Sequence, residues 1–420
     1  MVEYSCSKCS KVFKQIGHLT NHLNRKRPCN PDNINNINKI IENIVDKKVE
    51  AKLKNLNLNI INNNIKMKKA ISLFSGMGGD SLGIKNAGLE LVAYSEIDKV
   101  FQKTHELNFP DSELIGTGDI LKTTDSQLSI YYDEIEVLFA GFPCQGFSMA
   151  GKKLSDDPRN TLFREFLRAT RLICPNYIIG ENVKGLCNKK DTEGKLFIDI
   201  IKEEFEKLGY DIYIKVMKCN LHGIPQNRQR LIIVGVRKWL NKALTFPDEQ
   251  ENTGNLKDII KFNMKGVVKI EPEDFDMDSI PEECMITDMD NDETESELPG
   301  IRPHPYLITL AKKRDFIYHD VAYPQRVHFG KRIPVGGEII DIRKPLNTII
   351  CTYGRQPRFF IPQKNKNGYY LRCLIPDELK QIQGFPADYK IEGDTSKQII
   401  QIGNAVPPPL IELIINVMIK

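Results

Sequence analysis

Phe139-Ala140-Gly141-Phe142-Pro143-Cys144-Gln145-Gly146-Phe147-Ser148 follows directly on the apolar run Glu136-Val137-Leu138. The run reads as a short strand buried on both faces, the pattern of a parallel sheet. Gly141, Pro143 and Gly146 then break regular structure, which puts the Cys144 thiol in a turn at the strand's carboxyl end. In open α/β sheets that edge gathers ligands and chemistry. A core cysteine in a Gly/Pro loop is the plainer reading, because free cysteine is among the most buried residue types. The surrounding segments decide between the two.

Going back along the chain, Ala70-Ile71-Ser72-Leu73-Phe74 reads as another strand. Ser75-Gly76-Met77-Gly78-Gly79 follows as a tight turn, and 80–87 as a helix closed by Gly88. Such a turn lets backbone and helix amides approach a ligand. The next strand, Leu91 to Tyr94, delivers Glu96 and Asp98, about 20 residues on, where an acid binds ribose hydroxyls in nucleotide-type folds. The turn lacks the dinucleotide Gly-x-Gly-x-x-Gly spacing, which counts against NAD. Asp119, in Gly118-Asp119-Ile120, places a further acid at a strand end.

Going forward, a helix is expected over about 160–173 and a strand at Tyr177-Ile178-Ile179-Gly180, which ends in Glu181-Asn182-Val183. If its strand runs parallel to that before Cys144, both ends open on one crevice. A helix over 194–207 and a strand from Tyr210 to Val216 precede Gln226-Asn227-Arg228-Gln229-Arg230 and the apolar Leu231–Val236. Arg228 and Arg230, two apart, would share one face of a strand. Alternating strands and helices through 236 make an α/β domain. Periodicity degrades over about 246–345, where a smaller, irregular, mostly β region is expected, and helical pattern returns over 377–420.

Composition is that of an ordinary soluble protein, 41% hydrophobic and 27% charged over 420 residues. No apolar run is read as reaching the roughly 18 residues of a membrane span, so no membrane partner is expected. Ten cysteines without disulfide-like spacing suit a reducing compartment, cytoplasm or nucleus. The net charge of +4 is uneven: residues 1–69 carry a surplus of +9, whereas 271–298 hold 13 acids and no base. A basic molecule with one acidic stretch suits a nucleic-acid partner. The stretch 271–298 itself reads as a disordered surface insertion.

At the amino end, Cys6-x2-Cys9-x12-His22-x6-Cys29 encloses Phe13 and Leu19. Two thiolates on a hairpin, an imidazole on a helix and one more thiolate give tetrahedral zinc ligation, with His18 a competing ligand. The segment resembles a small two-Cys, two-His zinc finger with Cys29 in the last place; the alternative is a basic disordered head. Residues 30–69 are an Asn/Ile/Lys-rich linker in which Ile34, Ile37, Ile41 and Ile44 suggest a short amphipathic helix.

Five blocks, Phe74-Ser75-Gly76-x-Gly78-Gly79, Pro143-Cys144-Gln145, Glu181-Asn182-Val183, Gln226-x-Arg228-x-Arg230 and Gly403-Asn404-Ala405-Val406, together resemble the ordered motifs of the cytosine carbon-5 DNA methyltransferases. The linker and finger also look like proteins of large DNA viruses with AT-rich genomes. The resemblance implies a class I, Rossmann-like methyltransferase sheet with a smaller target-recognition domain. The expected layout is a zinc finger at 1–29, the linker at 30–69 and a catalytic domain at 70–245. A target-recognition domain follows at 246–370, and 371–420 returns to the catalytic domain. It implies a restriction-modification type enzyme that acts as a monomer on double-stranded DNA with S-adenosylmethionine as donor.

The resemblance assigns roles. Cys144 attacks carbon 6 of a cytosine swung out of the duplex and so makes carbon 5 nucleophilic. Glu181 bonds ring nitrogen 3 and the exocyclic amine, Arg230 holds the base carbonyl, and Arg228 holds the active-site loop or a phosphate. In the donor pocket Phe74 stacks on adenine, Gly76 and Gly78 pass the amino-acid end, and Glu96 takes the ribose hydroxyls. Ile97 packs on adenine, Asp119 with Ile120 reads it, and Pro143, Leu162, Asn404 and Val406 complete the wall. Taken singly, Phe74, Ile97, Ile120 and Leu162 would be core residues, Glu96 and Asp119 helix caps, and Arg228 and Arg230 solvated charges. An RNA cytosine methyltransferase of related fold, or a catalytically silent DNA-binding relative, would keep most of these motifs.

Overall fold

The computed structural model describes residues 3–6, 11–24, 67–143 and 161–419, less short interruptions at 192, 252–253, 273–274, 276, 294–301, 313–315, 319–320, 324–326 and 332–336. The chain divides into two compact units, residues 1–66 and 67–420.

In the first unit a two-stranded hairpin, Tyr4–Ser5 against Val12–Phe13, precedes the helix Ile16–Leu23. Cys6 and His22 are buried, at 1% and 7% exposure, and the Phe13 ring lies 5.0 Å from that of His22. His18 is exposed, so it points away from this small interior. Cys9, Cys29 and the isoleucines of the linker lie outside the described residues.

The second unit is built on β1 (Lys69–Leu73), β2 (Glu90–Ser95), β3 (Glu113–Leu114), β4 (Ile135–Ala140), β5 (Tyr177–Val183), β6 (Tyr210–Lys218) and β7 (Gln229–Arg237). They form one sheet in the order β3-β2-β1-β4-β5-β7-β6. All neighbours are parallel except β7, which runs antiparallel to both β5 and β6. Successive side chains face opposite sides of a sheet, and here both sides are covered. Val137 and Phe139 of β4 enter one apolar core, Leu138 and Ala140 the other. That is why the strand reads as an unbroken apolar run rather than an alternation.

Helices α1 (Gly79–Asn86), α2 (Lys99–Asn108), α3 (Thr161–Ile173) and α4 (Phe197–Lys207) cover the sheet. Asp98 caps α2 by accepting from the amides of Val100 and Phe101 at 2.8 and 3.3 Å. Helix α4 starts at Phe197 rather than 194, because 191–195 close an Asx turn around Asp191 instead.

The region read as a target-recognition domain holds a second, six-stranded sheet. Its path is β8 (Val267–Ile270), β12 (Gly368–Cys373), β11 (Phe359–Asn365), β10 (Gly337–Ile339) and β9 (Val327–Phe329), with Ile286–Thr287 also pairing to β11. Its core is continuous with one core of the catalytic sheet, so the boundary drawn at 370/371 falls inside β12. The disordered-insertion reading of 271–298 is corrected over the residues described there. Phe275, Met277, Ile280 and Cys284 are buried, and Asp288 donates its amide to the Lys364 carbonyl at 3.1 Å. Glu282, Glu283, Asp290 and Asp292 are exposed, and the apolar residues between the acids anchor the segment.

Helices α5 (Pro376–Ile382), α6 (Thr395–Asn404) and α7 (Pro408–Ile419) return to the catalytic sheet. The stretch Thr395–Ile419 is apolar enough by composition to cross a bilayer, contrary to the sequence reading, but its apolar window is 61% buried within the fold. It also breaks between α6 and α7 at Ala405–Pro407. Glycines of α1 set how closely α7 approaches: a Cβ at Gly83 would lie 2.6 Å from the Pro408 carbonyl oxygen and 2.7 Å from Ile411.

Candidate active site

At the carboxyl ends of β1, β2, β4 and β5 lies a cavity of about 690 Å³. Its lining includes Phe74, Gly76, Glu96, Ile97, Asp119, Ile120, Pro143, Leu162, Glu181, Arg228, Arg230 and Asn404. Residues drawn from five sequence blocks therefore meet in one space. Parallel β4 and β5 put Pro143, the neighbour of Cys144, and Glu181 on the same rim. Cys144 itself lies outside the described residues.

One end of the cavity has the makings of a nucleoside site. Phe74 leaves β1 with φ +58°, a left-handed conformation unusual for a bulky residue. The Glu96 carboxylate accepts from the amides of Gly76 and Asp98, both at 2.8 Å. Burial raises its pKa, and these amides oppose that rise. Ile97, beside it, is 66% exposed although apolar, and Leu121 is 55% exposed; both face the cavity. Asp119 caps a 3-10 turn by accepting from the Leu121 amide at 3.1 Å and lies 3.3 Å from Lys122. Gly118 lets this turn close on β2, since a Cβ there would sit 2.2 Å from the Glu96 carbonyl oxygen. A fixed carboxylate, a second acid and uncovered aliphatic side chains fit the ribose and the base of an adenosyl group.

At the other end Arg230 Nε meets Glu181 Oε1 at 2.8 Å, with the two side chains 12% and 11% exposed. The register explains the pair. Glu181 stands opposite Ile232 on antiparallel β7, so Arg230, two residues away, is its same-face diagonal neighbour. Asn182, for which the sequence suggested no role, donates to the Phe142 carbonyl at 2.9 Å and accepts from the Val183 amide. It ties the end of β5 to the turn that leads into Cys144. Its position after Glu181 was the available signal, although a carboxamide there could equally have faced solvent.

Four expectations change. Arg228 and Arg230 do not share a strand face, because Arg228 falls between the short strand Gln226–Asn227 and β7. Arg228 is 1% exposed, and among the described residues its guanidinium donates to the carbonyls of Ile349, Gly403 and Ala405 at 3.1, 3.2 and 2.9 Å; the loop after Pro143 lies outside them. Burial, with the neighbouring Arg230 charge, lowers its pKa to about 9. Gly78 does not line the cavity; it begins α1 at φ +88°, and a Cβ there would strike Phe109. Val406 also lies outside the lining, with its carbonyl packed against Gly79. The sequence reading missed Ser95, Phe101, Leu121, Phe142 and Val183 on the cavity wall; each is an apolar or small neighbour of a residue it singled out.

The family model for C-5 cytosine-specific DNA methylases matches residues 67–420. The chain is 30% identical over 371 residues to the Type II methyltransferase M1.HphI of Haemophilus parahaemolyticus, covering 83% of this chain and 86% of that one. It is 33% identical over 358 residues to M.Eco47II of Escherichia coli, covering 83% and 77%. Among solved structures it resembles a putative prophage-encoded DNA modification methyltransferase from E. coli, with TM-score 0.58, 21% identity and 84% and 98% coverage. It also resembles a DNMT2 variant of Spodoptera frugiperda, with TM-score 0.57, 18% identity and 84% and 100% coverage. Fold, cavity and sequence thus agree that this chain belongs to the C-5 cytosine-specific DNA methylase family.

Proposed function

We propose that Cys144, Glu181 and Arg230 perform the chemistry of this DNA cytosine-5 methyltransferase, with the other walls of the same cavity holding the donor. The supporting observation is that one space joins the Glu181–Arg230 pair to the Glu96 and Asp119 wall. Addition of the Cys144 thiolate to carbon 6 of cytosine moves the ring double-bond electrons toward carbon 5, which becomes nucleophilic. S-adenosylmethionine, when bound, supplies an electrophilic methyl group. A base then takes the carbon-5 proton, the freed electron pair re-forms the ring double bond, and the carbon 6–sulfur bond breaks to release the Cys144 thiolate.

The Glu181–Arg230 pair offers an acceptor and a donor side by side. The exocyclic amine donates to one Glu181 oxygen, the O–H of the protonated Glu181 carboxyl donates to ring nitrogen 3, and a guanidinium N–H donates to the base carbonyl. Charge growing on the ring during thiolate addition draws the Glu181 proton onto nitrogen 3 and strengthens the guanidinium contact, which is what lowers a barrier. Glu96 would take the ribose hydroxyls, with Ile97, Ile120 and Phe74 against adenine and Asp119 toward its amine. Gly76, Pro143, Leu162 and Asn404 would close the pocket.

The amino-terminal unit fits a zinc site. A buried thiol, Cys6, and a buried imidazole, His22, sit in a hairpin–helix too small to supply a core of its own, and Cys9 and Cys29 have ligand spacing. The enzyme would act as a monomer on duplex DNA in a reducing intracellular compartment, with no membrane partner.

Incubation with labelled donor and either duplex DNA or tRNA tests the reading. Label should enter DNA, and Cys144→Ala should abolish transfer while duplex binding persists. Label confined to tRNA would reverse the substrate, and undiminished turnover by Cys144→Ala would remove the nucleophile.

A further inference from the structure

Behind the cavity wall lies a closed set of buried hydrogen bonds that joins three distant segments. Gln226, Arg228, Ile349 and Gln383 are each no more than 1% exposed. The Gln383 carboxamide accepts from Gln226 Nε2 at 2.5 Å and donates to the Ala405 carbonyl at 2.7 Å. Gln226 Oε1 accepts from the Ile349 amide at 3.1 Å. Arg228 reaches the same two places, donating to the carbonyls of Ile349, Gly403 and Ala405. A pair of parallel bridges between Gln226–Asn227 and Leu346–Asn347 completes the junction.

Each segment leads somewhere different. Residues 226–230 carry Arg230 and the base side of the site. Residues 346–349 are the strap from the recognition lobe. Residues 403–405 carry Asn404, which lines the cavity and is assigned above to the donor. Gln383 is not among the residues that line the cavity. Every polar atom of its side chain is nonetheless spent on holding the strand block to the Asn404 turn.

The geometry points to Gln383 as a positioning residue that couples donor binding to DNA binding. When a ligand orders the 403–405 turn, the Ala405 carbonyl fixes Gln383. Gln383 fixes Gln226, and Gln226 fixes the strap of the lobe that meets DNA. The ordering cost is then met once rather than twice, so each ligand tightens the other. This rests on the family reading and on the donor end assigned above.

The test uses the full chain and a duplex that the wild type methylates. The dissociation constant of S-adenosylhomocysteine is measured with and without that duplex, and the ratio is the coupling. Wild type should show a ratio of roughly 5-fold or more, within the usual range for linked sites. Gln383→Leu should bring it close to one. Gln383→Glu, which keeps volume and the acceptor for Gln226 but at neutral pH has no donor for Ala405, should lower it in part. Ile201→Ala, in the opposite core, serves as an equally destabilised control and should keep the wild-type ratio. A ratio unchanged in both Gln383 variants, or lowered as much by Ile201→Ala, overturns the proposal. A wild type that methylates duplex DNA with a ratio of one overturns it alone; a wild type that methylates no duplex overturns it together with the function.

Discussion

Among the described residues two Arg–Glu pairs, one buried and one half-buried at the cavity wall, differ in how completely they are satisfied. Arg372 and Glu378 form a bidentate pair at 2.8 and 2.7 Å, and Arg372 also donates to Gln363 Oε1 and to the carbonyls of Lys261 and Cys373. Glu378 further accepts from the Ile375 amide. Arg230 and Glu181 share one contact at 2.8 Å, and Arg230 has one further bond, to the Gln229 carbonyl. The first pair is sealed and staples β12 to the start of α5. The second faces a cavity with bonding capacity in reserve. Residue types are the same and both pairs are largely shielded, so it is spare valence, aimed at open space, that separates a working pair from a structural one.

That contrast can be broken most forcefully at Glu181. Glu181→Gln should lower turnover by about 10²- to 10⁴-fold, the usual weight of an acid–base group, while the thermal midpoint stays within about 2 °C of wild type. Equal losses of stability and activity would erase the distinction. Glu378→Ala should do the reverse, costing about 3–5 kcal/mol of stability because a buried guanidinium loses its partner. Chemical denaturation reads this, and Arg372→Met combined with Glu378→Leu should be milder than the single change.

A third buried site sharpens the comparison through pH. Asp80 accepts from Ser72 and Ser81, and burial lifts its pKa to about 7. His105, joined to Ser81 at 3.0 Å, is pushed down to about 3 by burial. Between about pH 4 and 7 the folded Asp80 holds a proton that the unfolded chain releases, so its contribution to stability falls as pH rises. Between about pH 3 and 6.5 the unfolded chain protonates a histidine that the fold keeps neutral, so that contribution rises with pH. The two offset each other in wild type. Asp80→Asn should therefore make the protein gain stability from pH 4 to 6.5, and His105→Gln should make it lose stability over that range. Denaturation midpoints at pH 4.5 and 6.5 that move alike in both variants would refute the assignment. The smallest effect belongs to Ile97→Ser, which should raise the donor KM by about 3- to 10-fold for the loss of roughly 1 kcal/mol of apolar contact.

Much of this was legible in the sequence because the site sits on strand ends. An apolar run such as Val137–Ala140 fixes a strand, and whatever follows it is delivered to the crevice; hence Glu96, Asp119 and Glu181 were found by position alone. The bonds of Arg228 to residues 349, 403 and 405 were not legible, because no local periodicity reports a partner so far along the chain. The same holds for Gly78 and Val406, whose family resemblance was clear but whose contacts are with α2 and α1. The segment 271–298 misled for a different reason. Its 13 acids outweigh, in any composition average, the few apolar residues that decide whether a segment is anchored.

The Tyr389 hydroxyl donates to the Met77 carbonyl across a separation of 312 residues. Met77 follows Gly76, which lines the cavity, so the turn after the first strand is pinned by a side chain made 312 residues later, and Asn404 of the same cavity follows later still. A polypeptide still emerging from the ribosome shows its cytosine-facing residues before the segments around Tyr389 and Asn404 exist to close the other end of that space.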